Sequence, residues 1–221
     1  LETRPSATPQ HAPKWDTVEG KQAHIEVKQA LQQSLSEVNN PALVIVDATE
    51  QRLSQSLQNS PALTRRGLSN QSSILKYAAQ NDIKVVNLYS AANETPLSSL
   101  KKRKKNLLYR AISGQRTGET QGYRDVQYSQ DNQTALTSAL EDNDEVLVMA
   151  YSDGKVTTNV IDSLSENTQK QVVVSRYANL DYQPSNLSAE ESTAWKALGK
   201  KDNVKMLGGG SRSRFNICSI Q

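Results

Sequence analysis

The chain of 221 residues is long enough for one large α/β domain with a sizeable core. Its 36% hydrophobic and 5% aromatic content is low and its net charge of +3 is mild, so bulk charge alone argues for neither a nucleic-acid nor a membrane partner. A single cysteine, Cys218, excludes an intramolecular disulfide, and no apolar run approaches the ~18 residues of a transmembrane helix.

Residues 1–16 are rich in Pro, Thr, Ser and Gln and lack apolar periodicity, which predicts a flexible N-terminal segment. The segment reads as a start left by processing or trimming and is compatible with a soluble, secreted or periplasmic protein. The packed domain is expected over 17–208 and a flexible C-terminal tail over 209–221. The first element is a helix in "TVEGKQAHIEVKQALQQSLSEV", with Val18, Ile25, Ala30, Leu31, Leu35 and Val38 at approximate helical spacing. "NNP" breaks it.

"ALVIVDATE" is a continuous apolar run ending in a carboxylate, the pattern of a strand buried on both faces of a parallel sheet. Asp47 then lies at the C-terminal strand end, which faces the ligand crevice in open α/β sheets, and is a candidate site residue or a loop cap. "LTRRGLSNQSSILKYAAQND" carries Leu68, Ile74, Leu75, Ala78 and Ala79 on a helical face, and "IKVVNLYS" is a second buried strand, completing a βαβ unit. Residues 91–122 contain Pro96, Gly114, Gly118 and Gly122 around Leu107, Leu108 and Ile112, and read as a long excursion with one central helix. It includes Lys101, Lys102, Arg103, Lys104 and Lys105, a run that suits either a solvated face or contact with phosphate, anionic lipid or an acidic partner; no interleaved aromatics support base stacking.

"RDVQYS" reads as a weak third strand, "DNQTALTSALEDND" as a helix facing the core through Leu136, Ala139 and Leu140, and "EVLVMAYS" as a strand. "KVTTNVIDSLSENT" clusters Val156, Val160, Ile161 and Leu164 on one helical side, and "KQVVVSR" is another strand. "SAEESTAWKALGKK" opens with Ser188 and Glu191 at capping-box spacing, and "NVKML" is a final short strand. This alternation predicts a three-layer, Rossmann-like α/β domain with a mostly parallel sheet. "GGGS" from Gly208 lacks the lysine and following helix of a phosphate loop, and His11 and His24 are too isolated for a zinc site or triad.

Taken in order, "ALVIVDATE", "LKYAAQNDIKVVNLYS", "DVQYSQDNQTALTSAL" and "EVLVMAYSDGKVTTNVIDSL" resemble the isochorismatase-like, or cysteine hydrolase, superfamily over roughly residues 41–208. The resemblance implies a catalytic Asp after the first strand, a Lys in a "K-x-x-Y-S-x-F" segment, and a nucleophilic Cys at the strand–helix turn. Such an attack needs a proton acceptor and stabilisation of developing charge. Asp47 matches the Asp, but Asp125 stands at the Lys position and Lys155 at the Cys position, so the cysteine-hydrolase set is incomplete.

Two readings of these vestigial pocket positions follow. In one, Asp47 and Lys155 form an ion pair that only stabilises; in the other, Asp47 is a general acid or base and Lys155 orients an anionic substrate. Isochorismatases proper also lack the cysteine, yet Asp125 would repel a dicarboxylate, which argues against isochorismate cleavage. The resemblance therefore implies a catalytically degenerate binding or scaffold module that forms a homo-oligomer and engages a protein partner, with no cofactor or metal. The alternatives are a divergent hydrolase using Asp47, and a metal-dependent adhesion module, since "DATEQ" partly matches the "D-x-S-x-S" of von Willebrand A-like domains.

Overall fold

The computed structural model describes residues 29, 32, 33, 40–90, 93–97, 123–129, 133–151, 154–175, 179–180 and 187–207. The expected first helix lies outside the described residues but for helical Gln29, Gln32 and Gln33. The core of the 91–122 excursion, both histidines and the 209–221 tail also lie outside them.

Six strands form one sheet: β1 (Ala42–Val46), β2 (Lys84–Tyr89), β3 (Tyr123–Gln127), β4 (Glu145–Ala150), β5 (Gln171–Ser175) and β6 (Val204–Leu207). Their spatial order is β3-β2-β1-β4-β5-β6, and every neighbouring pair is parallel. The uninterrupted apolar run of β1 reflects its place between β2 and β4, where all five residues are buried.

Alternate residues of each strand feed opposite layers. Leu43, Ile45, Val85, Leu147, Met149 and Val173 pack with Leu53 of α1 (Glu50–Asn59) and with Leu68, Ile74, Leu75 and Ala78 of α2 (Pro61–Gln80). Val44, Val46, Val86, Leu88, Val148 and Val174 meet the other layer, built by α3 (Gln133–Ala139), α4 (Lys155–Thr168) and α5 (Ala189–Leu198). Leu136, Ala139, Val160, Ile161, Leu164, Trp195 and Leu198 supply its apolar stripes. Helices on both faces of an all-parallel sheet make the three-layer α/β architecture expected from the sequence.

Two local features position the site. The sequence reading assigns no element to Glu50–Asn59, where the structure has α1. This helix is largely polar, and Leu53 and Leu57, one turn apart, carry its apolar face. Thr49 caps it, accepting from the Arg52 amide at 3.3 Å. At α5 the capping box forms: the Glu191 amide donates to Ser188 Oγ at 3.1 Å and the Ser188 amide to Glu191 Oε2 at 2.9 Å.

Candidate functional site

Connections leave the C-terminal ends of β1 and β4 towards opposite layers, so the topological switch point, where such sheets open a crevice, lies between these two strands. Asp47 stands at the end of β1. Its amide makes a last ladder-like bond to Leu88 O at 2.8 Å, and the backbone then turns through φ 57° into the left-handed region. Few residues without glycine's freedom adopt that conformation, and Asp is among the better tolerated. The turn continues with the Thr49 amide donating to Asp47 O at 2.8 Å, which brings the chain into α1.

The Asp47 carboxylate is 1% exposed and its two oxygens have different surroundings. Oδ1 accepts from the Ser90 amide at 3.0 Å and from Ser90 Oγ at 3.2 Å. Oδ2 is buried without a hydrogen bond, 3.8 Å from Arg52 Nε, itself buried and without one. Arg52 Nε also lies 3.4 Å from Glu94 Oε1, while Thr49 Oγ1 donates to Glu94 Oε2 at 2.8 Å. One guanidinium is thus shared by two carboxylates. Burial pushes the Asp47 carboxyl above its ordinary value of 3.8, and the nearby Glu94 charge adds to the rise. The Ser90 hydrogen bonds and the Arg52 charge oppose it.

Glu94 is held in place by a strap, residues 93–97, laid over the start of α1. The Glu50 amide donates to Thr95 O at 2.9 Å and the Leu97 amide to Ala48 O at 3.1 Å. The Thr95 amide donates to Gln51 Oε1 at 2.9 Å, and Thr49 and Pro96 form an antiparallel bridge.

On the other side of Asp47, the fully buried Asn87 of β2 pairs with the Ala48 backbone. The Ala48 amide donates to Asn87 Oδ1 at 3.0 Å, and Asn87 Nδ2 donates to Ala48 O at 3.2 Å. The same Nδ2 donates to Asp125 Oδ1 at 2.8 Å; Asp125 is exposed on edge strand β3, in register with Asn87. Asp47 and Asp125 are therefore linked through Ala48 and Asn87.

Lys155, the first residue of α4, lies elsewhere. Its ammonium is 3.2 Å from Glu190 Oε1, with both side chains well exposed at 69% and 78%. The cation beside Asp47 is Arg52, so the expected Asp47 to Lys155 pair does not form. Ser152 and Asp153 of the β4 to α4 turn lie outside the described residues. The end of β4 is fixed from the α2 side: the Ala150 amide donates to Asn179 Oδ1 at 2.8 Å. Ala150 O accepts from the Leu180 amide and from Gln71 Nε2, each at 3.1 Å. Burial also pushes the Tyr151 phenol well above its ordinary range, keeping it protonated.

The sequence reading of the site lacks Arg52, Ser90, Glu94 and Asn87. Asn87 carried a usable signal, an amide inside the apolar run "VVNLY". Among the described residues, no group of three His, Cys, Asp or Glu side chains is placed to hold a metal, and no helix is long and apolar enough to cross a membrane. The basic run from Lys101 to Lys105 and Cys218 lie outside those residues.

No protein-family profile and no curated protein matches the chain. Among solved structures it is similar to one described as an isochorismatase from Pseudomonas putida KT2440, with 10% identity and a TM-score of 0.46, covering 76% of this chain and 87% of that one.

Proposed function

We propose that this chain is a binding module on an isochorismatase-like fold, catalytically degenerate where that superfamily performs cysteine hydrolysis. The observation that supports the reading is the direction of Lys155. The residue at the nucleophile position is an exposed cation turned to Glu190, while Asp47 is served by Ser90 and Arg52. Among the described residues, the lysine at the nucleophile position and the Asp47 carboxylate have separate partners, whereas acyl transfer requires nucleophile, base and oxyanion donor to meet at one point. Recognition needs less: Asp47 Oδ2 has spare acceptor capacity for a ligand N–H or O–H.

The test is a panel of amide, carbamoyl and ester compounds presented to the intact chain. Turnover and the NMR shifts of the Asp47 carboxyl and Ser90 amide are read together. Shifts without turnover are the expected outcome; hydrolysis abolished by Asp47→Ala overturns the reading. That second result would favour Asp47 as a general acid or base, a role for which its raised proton affinity is suited. The proposal extends to a homo-oligomer and to an anionic partner surface at Lys101 to Lys105. Sedimentation tests the first, and salt-sensitive retention on phosphate-bearing surfaces, lost on neutralising the run, tests the second.

A further inference from the structure

We infer that Asn87 is the positioning residue of the Asp47 site, its side-chain amide standing in for a strand backbone at the point where β1 leaves the sheet. The inference rests on the reading of Asp47 as the functional group. β1 is paired to β2 through Val46, and the Asp47 amide still reaches Leu88 O. At Ala48 the chain has turned towards α1, and its peptide groups lie buried beyond the ladder. Asn87 supplies the partner of the Ala48 amide by accepting from it, and shares the Ala48 carbonyl with the Leu97 amide by donating to it.

The identity of the residue follows from this geometry. A side chain that both accepts and donates on one short planar group is an amide, and Asn has the shorter reach of the two amides. Its orientation is set by its partners, because the Ala48 N–H can only donate while Ala48 O and the Asp125 carboxylate accept. The second Nδ2 hydrogen goes to Asp125, so the buried amide is used at its oxygen and at two donor positions. Asn87 points to the α1 and α2 layer, the side fed by Val85, where an unsatisfied amide would be costly.

Ala48 lies between the two residues that build the site. On one side is Asp47 with its left-handed backbone, and on the other Thr49, which caps α1 and holds Glu94. Pinning both polar groups of Ala48 sets the angle at which β1 passes into α1. It thereby sets the aim of the Asp47 carboxylate at Ser90 and Arg52. Without the amide, Asp47 can relax towards an ordinary extended conformation, and its Ser90 bonds are lost.

The experiment compares Asn87→Leu with Val86→Ala, a neighbouring core substitution whose side chain faces the opposite layer. Carboxyl NMR follows the Asp47 titration in the intact chain, and amide exchange follows Ala48 and Ser90. Asn87→Leu is expected to lower the proton affinity of Asp47, because water reaching the carboxylate removes the largest cause of its rise and outweighs the loss of the Ser90 bonds that oppose it, and to abolish Ala48 and Ser90 protection. Val86→Ala is expected to leave all three in place. Should Asn87→Leu not fold, Asn87→Asp retains the acceptor for the Ala48 amide and, as a carboxylate, loses both donors; it should keep Ala48 protection while altering the Asp47 titration. An Asp47 titration and Ser90 protection unchanged in the variant that folds would overturn the inference. The ligand panel on the unsubstituted chain tests the binding reading separately: silence there, with a shifted titration in Asn87→Leu, sinks the binding reading and leaves the positioning role standing.

Discussion

Substituting Gly67 with alanine sets two effects of opposite sign against each other. Gly67 lies inside α2, where Gly→Ala ordinarily stabilises a helix by about 0.8–1 kcal/mol because the chain loses less backbone freedom on folding. Here a Cβ would stand 2.9 Å from Leu180 Cδ2, 3.0 Å from Leu180 Cα and 3.1 Å from Leu180 O. A leucine methyl can swing away, but the Cα and carbonyl move only with their backbone. That backbone is anchored: the Leu180 amide donates to Ala150 O, and neighbouring Asn179 accepts from the Ala150 amide. Overpacking of this kind costs about 1–3 kcal/mol, so Gly67→Ala should destabilise the fold by roughly 1 kcal/mol net. Urea unfolding with an unchanged m-value measures the difference. A variant more stable by about 1 kcal/mol, the full helix-propensity gain, would refute the claim that α2 and the Leu180 segment are locked together.

Two other outcomes follow from the electrostatics. Asp47 has a folded-state pKa above its unfolded value, so its stabilising contribution is present below about 3.8, the ordinary value, and is lost as pH rises through the folded value. The stability of the unsubstituted chain minus that of Asp47→Asn should therefore fall as pH rises from 3.8 and level off above the folded value; paired denaturant titrations across pH read it, and a rising difference would contradict the burial argument. Lys170 Nζ donates to the carbonyls of Leu140, Glu141 and Asn143 in the turn that follows α3, where Leu140 O also accepts from the Asn143 amide. Lys170→Met keeps the aliphatic stem and removes the donors, so a loss of about 2 kcal/mol in urea unfolding is expected, and no loss would show that water serves those carbonyls equally well.

The elements most readable from the sequence were those whose burial is unambiguous. "ALVIV" and "VLVMA" are apolar on consecutive residues because both faces of β1 and β4 are covered, and that pattern alone calls for a parallel sheet between helical layers. The helix over Lys155–Thr168 and the α5 capping box were visible because apolar spacing and cap chemistry are local properties. α1 was not, because only Leu53 and Leu57 carry its apolar side and its other residues are polar or small enough to suit a loop. Its stability comes from tertiary contacts, including the strap that bonds to Ala48, Glu50 and Gln51.

The site followed the same division between local and long-range information. Asp47 could be found because a carboxylate at the end of a buried strand is a statement about adjacent residues. Its partners could not, since Ser90 and Glu94 reach it from more than forty positions away, across a connection whose path no periodicity encodes. Lys155 illustrates the converse error of treating sequence position as direction. It begins α4 near the switch point, but a side chain at the first turn of a helix points according to the helix's rotation, and this one meets α5. Charge complementarity between Asp47 and a lysine was a sound chemical expectation that Arg52, in the first turn of α1 and five residues along the chain from Asp47, satisfies locally. The consequence is that Asp47 has its own cation independent of the β4 to α4 turn, so residues at that turn can diverge without leaving a buried carboxylate uncompensated.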